Sequence, residues 1–179
     1  MRVKVRPLRD EDVVELHRWI RHPTVLRGTM QLPSLQIGRI RRWFREPQNT
    51  VALVVELPEN RRSSEAVAGV VLLRRLSGRQ AYVAGAFIAV DPRYHRKGIG
   101  TELMEASLDL ADRYWRPLRV ELGVYPDNVA GLRLYRRFGF QEEGRRVHFP
   151  IRDGTYVAIA SRKVHKGGGG ASRRGPSPC

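Results

Sequence analysis

The chain of 179 residues has a single cysteine, no long apolar run and few acidic residues. Because the cysteine is Cys179, the sequence excludes an internal disulfide and a metal centre built from several thiolates. No stretch of about 18 consecutive apolar residues is present, so no membrane segment is predicted. The opening residues, Met-Arg-Val-Lys-Val-Arg-Pro, lack the apolar region of a signal peptide. These absences together predict a cytoplasmic protein.

The shortage of acidic residues leaves a strongly basic chain, with 18 Asp and Glu against 33 Lys and Arg and a formal net charge of +15. Such a charge favours polyanionic partners, which include RNA, ribosomes and phosphorylated cofactors. The arginine pairs are scattered, and no aromatic residues interleave with them to form a base-stacking surface. Nucleic acid is therefore disfavoured as a partner, although a basic RNA- or ribosome-binding module without catalysis stays as an alternative class. The histidines have no metal-ligand spacing, so no metal is predicted.

Residues 87–104 form the most informative segment, because the end of a strand, a basic loop and a helix follow one another there. Residues 84–90 are apolar and predict a strand, and residues 99–110 have the apolar spacing of an amphipathic helix. Between them lies His95-Arg-Lys-Gly-Ile-Gly100, which fits neither a Walker loop nor a dinucleotide fingerprint. Free N–H groups and the positive end of a helix dipole converge at such a loop, and glycines let a phosphate approach the backbone. The segment predicts a site for a phosphorylated cofactor.

A second segment, residues 120–140, repeats the succession of strand and helix. Asp127 or Asn128 can cap its helix, and Gly139 can end it. Asn128 and Tyr135 are seven residues apart, or two helical turns, so both side chains project from one helical face. That face begins at the end of a strand, where α/β sheets usually carry their chemistry.

Together the two segments resemble the GNAT superfamily of acetyl-CoA-dependent N-acetyltransferases. The loop at residues 95–100 matches the superfamily's pyrophosphate loop, Gln/Arg-x-x-Gly-x-Gly/Ala, with His95 in the first position. The later motif, Asn-x-x-Ala-x-x-x-Tyr-x-x-x-Gly-Phe, is matched by Asn128, Tyr135, Gly139 and Phe140. Gly131 replaces the usual alanine, which is expected only to lower helix propensity. Dispersed agreement over residues 22–33, 120–128, 140–144 and 152–157 is similar to the bacterial L-amino-acid N-acetyltransferase branch.

The resemblance implies an α/β fold (α+β layered), in which one GNAT-type domain at residues 1–164 has a mixed central β-sheet flanked by helices. The order of elements read from the sequence, β-α-α-β-β-β-α-β-α-β-β, agrees with that plan. Asp10 is predicted to cap the first helix, His22-Pro23 to end it and Ser34 to cap the second helix, and a hairpin is predicted around residues 152–155. Residues 165–179 are rich in Gly, Ser, Arg and Pro, which predicts a disordered tail.

The resemblance also implies which residues hold acetyl-CoA, the expected co-substrate. A strand backbone would pair with the pantetheine arm, and the basic loop would hold the pyrophosphate. Asn128 would bond to pantetheine or the reacting centre, and Tyr135 would be the acid that protonates the departing thiolate. The predicted cofactor-binding residues are Ile88, Ala89, Val90, His95, Arg96, Lys97, Gly98, Ile99, Gly100, Thr101, Asn128 and Tyr135.

The general base and the acceptor pocket have fewer signals. Glu121 is the candidate catalytic base, with two alternatives: a solvated strand glutamate, or an α-amine that needs little help. The acceptor pocket is predicted to include Arg27, Met30, Leu32 and Tyr156. Arg27 is either the group that binds an amino acid's carboxylate or an ordinary surface arginine. The predicted function is N-acetylation of a primary amine of a small molecule such as an L-amino acid. Acetylation of a protein N-terminus or ribosomal protein is the alternative, and a homodimer is left open.

Overall fold

The computed structural model describes residues 3–43, 48–57, 67–156 and 159–165, with side chains as far as residue 154. The strands are β1 Lys4–Pro7, β2 Thr50–Glu56, β3 Val67–Arg75, β4 Val83–Val90, β5 Arg119–Val124, β6 Gln141–Arg146, β7 Ile151–Arg152, β8 Thr155–Tyr156 and β9 Ile159–His165. The α-helices are α1 Val13–Ile20, α2 Pro23–Gly28, α3 Ile37–Arg42, α4 Ile99–Tyr114 and α5 Val129–Arg137. In the described part of the chain, no helix is long and apolar enough to cross a membrane.

A mixed sheet of seven strands runs through the described residues in the order β1-β2-β3-β4-β5-β9-β6. Neighbouring strands are antiparallel except β4 and β5, which are parallel. The apolar runs of the central strands are buried on both faces, since α1 packs on one side and α4 on the other. Short β7 and β8 form a separate hairpin between β6 and β9. The predicted layered fold with a mixed central sheet is therefore confirmed.

The first helical region differs from its prediction in three places. A single turn of 3-10 helix at Asp10–Asp12 precedes α1, so Asp10 lies in that turn. Pro23 follows the end of α1 as predicted, but it also begins α2, because proline is well tolerated in the first helical turn. The residue that precedes α3 is Gln36, so the prediction of Ser34 as the cap was wrong.

The C-terminal part follows the prediction of a closing hairpin, with β6 and β9 paired antiparallel. The turn at residues 152–155 belongs to the small β7–β8 hairpin. His165 is the last residue of β9, although the tail was predicted to start there. Residues 166–179, the rest of that predicted tail, lie outside the described residues.

A close approach between α4 and β3 fixes the start of α4 against the sheet. A Cβ atom at Gly69 in β3 would lie 2.9 Å from side-chain atoms of both Ile99 and Leu103. Because real Cβ contacts are longer than this, only glycine lets α4 pack at this distance. The packing places the loop before α4 beside the end of β4.

The feature of the sheet that creates a site is the separation of β4 from β5. These strands pair only from Val83↔Arg119 to Gly85↔Glu121, whereas β4 stays paired with β3 as far as Val90. Within the described structure, the backbone of residues 86–90 therefore has no strand partner on the β5 side. Buried N–H and C=O groups require partners, and an extended molecule can supply them as an added strand does.

Candidate active site

A first cavity of about 660 Å³ opens where β4 and β5 separate. Its walls come from the end of α2, the end of β4, the loop before α4, the first turns of α4 and α5, and Arg152. The predicted cofactor-binding residues all line it except Lys97. Its volume falls in the range typical of small-molecule sites, roughly 300–1,000 Å³.

The loop at the start of α4 has the backbone shape of an anion site. Arg96 and Gly98 both adopt left-handed conformations, with φ of 60° and 84°. Among the described residues, no hydrogen-bond acceptor is found for the N–H groups of residues 96–100, which lie at the positive end of the α4 dipole. Space around Gly98 is open, because a Cβ there would meet nothing within 4 Å. Converging free N–H groups in such a turn bind phosphate.

Three residues of this loop make contacts that the sequence does not predict. The N–H of Thr101 donates to the carbonyl of Gly98 at 2.9 Å, so it is already used. Lys97 is not among the residues that line the cavity, and its Nζ lies 5.0 Å from the centre of the Tyr94 ring. His95 Nε2 lies 3.0 Å from the carbonyl oxygen of Val90, so the ring ties the loop to the end of β4 when Nε2 carries the proton.

A charged cluster beneath the loop holds it against α1. The guanidinium of Arg93 donates to both carboxylate oxygens of buried Asp91 and also to buried Glu15 of α1, at 3.0 Å. Asp91 accepts in addition from the backbone N–H of Arg93. The hydrogen bond to Asp91, with the attraction of the nearby carboxylates, raises the pKa of Arg93 above its ordinary value. This cluster was not predicted, because Glu15 and Arg93 are distant in sequence.

Asn128 caps α5 and is confined between two glycines. Its Oδ1 accepts from the N–H of Gly131 at 2.9 Å. A Cβ atom at Gly131 would lie 3.0 Å from Nδ2 of Asn128, and one at Gly28 would lie 3.6 Å from it. Gly131 therefore makes room for the Asn128 amide, which is more than the loss of helix propensity predicted for it.

Tyr135 lies two helical turns after Asn128 on the same face of α5. Its side chain is almost entirely buried at the wall of the first cavity. Its ring packs on Phe140 with centroids 5.9 Å apart. Burial raises the pKa of the Tyr135 phenol to about 12, so the hydroxyl keeps its proton at neutral pH. No hydrogen-bond partner of this hydroxyl is found in the described part of the chain. A protonated, unengaged phenol facing a cavity can donate a proton to a bound group.

Two ion pairs stand at the mouth of the first cavity. Arg152 donates to both carboxylate oxygens of Asp127, at 3.1 and 2.8 Å, and lies 4.4 Å over the ring of Tyr125. Arg27 donates to Asp153 at 2.9 Å. The hydrogen bond from Arg152 lowers the pKa of Asp127 below its usual range. The turn of the β7–β8 hairpin is thereby joined to α2 and to the start of α5.

Glu121 lines a second cavity, of about 630 Å³, and not the first. With Arg119 and Gly123 it occupies the face of β5 opposite the core residues that pack around Tyr135. Its carboxylate accepts two hydrogen bonds from Arg119, at 2.9 and 3.0 Å, and Arg119 also binds Glu143. The two predicted catalytic residues, Tyr135 and Glu121, therefore lie in different cavities.

The predicted acceptor residues are not all brought together. Arg27 lines the first cavity, whereas Met30 and Leu32 line neither cavity and are at least half exposed. The side chain of Tyr156 lies outside the described residues. Asp127 and Arg152 join the site without having been predicted for it, since no local pattern marks a salt bridge between a loop and a distant hairpin. Among the described residues, no group of three or more His, Cys, Asp or Glu side chains could hold a metal ion.

The chain belongs to the acetyltransferase (GNAT) family, which residues 11–140 match. Acetyl-CoA is the co-substrate of that family. A solved structure of yncA from Salmonella typhimurium with its cofactor acetyl-CoA has the same fold, with a TM-score of 0.78 and 16% identity over 99% of each chain. The predicted resemblance is thus confirmed at the level of family and fold.

Curated relatives act on different amines. Over 79 residues, 44% of this chain, it is 34% identical to the L-amino acid N-acetyltransferase AaaT of Escherichia coli. Over 74 residues, 40% of the chain, it is 42% identical to the [Ribosomal protein bS18]-alanine N-acetyltransferase of Escherichia coli. A Bacillus subtilis spermine/spermidine N(1)-acetyltransferase is 34% identical over 55 residues, 31% of this chain and 36% of its own length. The chain spans about half the length, 49%, of the first two relatives.

Proposed function

We propose that this protein transfers the acetyl group of acetyl-CoA to the primary amine of a small acceptor such as an L-amino acid. The observation that carries the proposal is the single cavity shared by the unpaired end of β4, the free N–H groups before α4, and the buried phenol of Tyr135. Direct transfer from a CoA thioester requires these three elements: a site that binds the pyrophosphate, a backbone edge that binds the pantetheine arm, and an acid that protonates the thiolate.

The residues present fit acetyl-CoA. The N–H groups of residues 96–100, with the charge of Arg96, would hold the pyrophosphate. The free backbone edge of residues 86–90 would pair with the pantetheine amides and supply a donor to the thioester oxygen. Acetyl-CoA supplies an acetyl group activated as a thioester. The acceptor nitrogen forms the new bond to the acetyl carbon and loses one proton to the base or to water, while the bond to sulfur breaks. The phenol of Tyr135 protonates the sulfur and then regains its proton from water.

The charges around the first cavity favour an acceptor with a carboxylate over a polyamine. Arg27, Arg96 and Arg152 line this cavity, whereas Asp127 is the acidic residue among its described lining. A site for a polycation is expected to carry an excess of carboxylates. Arg152 is paired with Asp127, and Arg96 is assigned to the pyrophosphate. Arg27 is therefore the lining charge that supports an amino acid as the acceptor, in agreement with the branch resemblance of the sequence.

The alternative acceptor is the α-amine of a protein N-terminus. Three apolar side chains in and just before β7, Val147, Phe149 and Ile151, are at least half exposed, although none of them lines the first cavity. Exposed apolar residues beside a site can cover an extended peptide. This surface, together with the likeness to the ribosomal-protein acetyltransferase, keeps that alternative open.

Purified protein should release CoA thiol from acetyl-CoA when it is given free L-amino acids. We expect at least about tenfold higher kcat/KM for free amino acids than for peptides with the same first residue, because a peptide offers an amide where Arg27 would bind a carboxylate. Polyamines, aminoglycosides and a no-acceptor reaction complete the thiol-release screen. Faster acetylation of peptide N-termini than of free amino acids would make the protein N-terminus the preferred acceptor.

Thermal unfolding distinguishes an acetyltransferase from an RNA-binding module. Stabilisation against heat by an oligonucleotide and not by acetyl-CoA would favour the RNA-binding module.

Glu121 stays a proposal for the general base: it lines the second cavity, but it pairs with Gly85 where β4 and β5 separate, so we propose that it acts on the amine across this gap, directly or through water. The pH dependence of its replacement tests this role. Replacing Glu121 by glutamine should lower kcat/KM about tenfold near pH 7, and the loss should shrink as the pH approaches the pKa of the acceptor amine. The reason is that, at such a pH, much of the acceptor amine is already deprotonated in solution and needs no base. Glu143→Gln is the matched control, because Glu143 lines the same cavity and binds the same Arg119. An equal loss at every pH, or an equal loss in the control, would leave Glu121 with a structural role only.

A further inference from the structure

The two ion pairs at the mouth of the first cavity differ in how firmly they are held. The side chain of Arg152 is 17% exposed, binds Asp127 with two hydrogen bonds and stacks on Tyr125. The side chains of Arg27 and Asp153 are 64% and 71% exposed and share a single hydrogen bond. A bidentate, stacked pair resists exchange, whereas an exposed pair contributes about 0–1 kcal/mol. The Arg27–Asp153 pair can therefore be opened at little cost.

The backbone of Arg27 is fixed although its side chain is free to change partner. Arg152 donates from Nη1 to the carbonyl oxygen of Arg27, at 3.2 Å. The next residue, Gly28, lies beside Asn128, because an added Cβ would be in ordinary van der Waals contact with its Nδ2, at 3.6 Å. The backbone of Arg27 is therefore held by Arg152, and the residue after it lies beside Asn128 at the start of α5.

We propose that Asp153 occupies, in the free protein, the place that the carboxylate of the acceptor takes on Arg27. The substrate's carboxylate replaces the aspartate, and Asp153 acts as an internal competitor that determines how tightly amino acids bind. This inference rests on the proposed function, since it assumes an acceptor with a carboxylate. It also explains why an arginine at the cavity already has an acidic partner.

Asp153 can be tested cleanly because its backbone conformation tolerates asparagine. Its φ is 53°, in the left-handed region that asparagine adopts as readily as aspartate. Asp153→Asn removes the charge and keeps the turn. Asp109→Asn is the matched control, because Asp109 is an exposed partner of an arginine on α4, away from both cavities.

The experiment measures the KM of Asp153→Asn for L-amino acids and for the corresponding amino-acid amides, which lack the carboxylate. We expect KM for the acids to fall at least about threefold, with no change for the amides, for acetyl-CoA or for the Asp109→Asn control. Arg27→Gln should raise KM for the acids at least about tenfold. In the double variant the Asp153→Asn change should have no further effect, because the competitor no longer has an anchor.

Opposite results overturn the inference separately from the function. An unchanged or higher KM for the acids in Asp153→Asn, in a wild type that does acetylate amino acids, means that Asp153 does not compete. A higher KM for acids and amides alike means that it only orders the hairpin. Equal KM values for acids and amides in the wild type exclude Arg27 as a carboxylate anchor. If the wild type acetylates no amino acid, the proposed function fails first and this inference fails with it.

Discussion

Replacing Gly98 by aspartate is expected to lower the affinity for acetyl-CoA at least about 100-fold while the protein stays folded. The left-handed Gly98 stands at the start of α4 where no neighbouring atom would meet a side chain, so the aspartate can be accommodated sterically. Its carboxylate, however, would point into the space where the free N–H groups of the loop converge. A fixed negative charge there repels a pyrophosphate and binds the N–H groups itself. Isothermal titration calorimetry with acetyl-CoA measures the loss.

Gly98→Asn is the control that separates charge from backbone strain. Asparagine has the same shape as aspartate and tolerates the left-handed conformation, so the two variants differ by one charge. We expect asparagine to lower the affinity no more than about tenfold. Equal affinities in the two variants, with unfolding temperatures close to that of the wild type, would show that phosphate does not bind at this loop.

The parts of the site that could be predicted are those that local sequence determines. The loop before α4 and the helix that carries Asn128 and Tyr135 are each specified by glycines, a cap and an apolar period within about twenty residues. These patterns can be recognised in the sequence because each of them depends only on residues that are close together in the chain. The layered fold with a mixed sheet followed from the order of strands and helices.

Residues that meet only through the fold could not be predicted. Arg93 binds Glu15 from 78 positions away, and Arg27 binds Asp153 from 126 positions away. No periodicity connects such pairs, since a charged residue in a loop has many possible partners. The placement of Glu121 escaped prediction for a related reason. The strand that carries Glu121 was predicted correctly. Which face of β5 lines which cavity, however, depends on where β4 separates from β5.

Sequence patterns also gave an incomplete prediction where a proline or a glycine has two structural roles. The proline at position 23 was predicted as a stop, and the same ring that ends α1 begins α2. Gly131 was expected only to weaken its helix, whereas the space it leaves is taken by the amide of Asn128. In both cases the meaning of the residue depends on a neighbour that secondary-structure propensity does not include.

Tyr135→Phe should lower kcat at least about tenfold and leave the KM for acetyl-CoA nearly unchanged. Phenylalanine keeps the ring that packs on Phe140, so the core around α5 is preserved. It removes the one group in the first cavity that we assign as the proton donor to sulfur. A group that acts mainly in the transition state affects turnover more than binding. Steady-state thiol release under conditions where chemistry limits the rate measures both constants.

The pH dependence of this loss distinguishes an acid from a packing residue. Because burial raises the pKa of the Tyr135 phenol to about 12, the wild type keeps its proton donor throughout the usual assay range. The ratio of wild-type to variant kcat should therefore be the same at about pH 7 and about pH 9, and should narrow only as the pH approaches that pKa. Tyr114→Phe is the control, since this tyrosine is largely exposed at the end of α4. If Tyr135→Phe turns over as fast as the Tyr114→Phe control, the thiolate takes its proton from water, and Tyr135 serves only to pack α5 against the sheet.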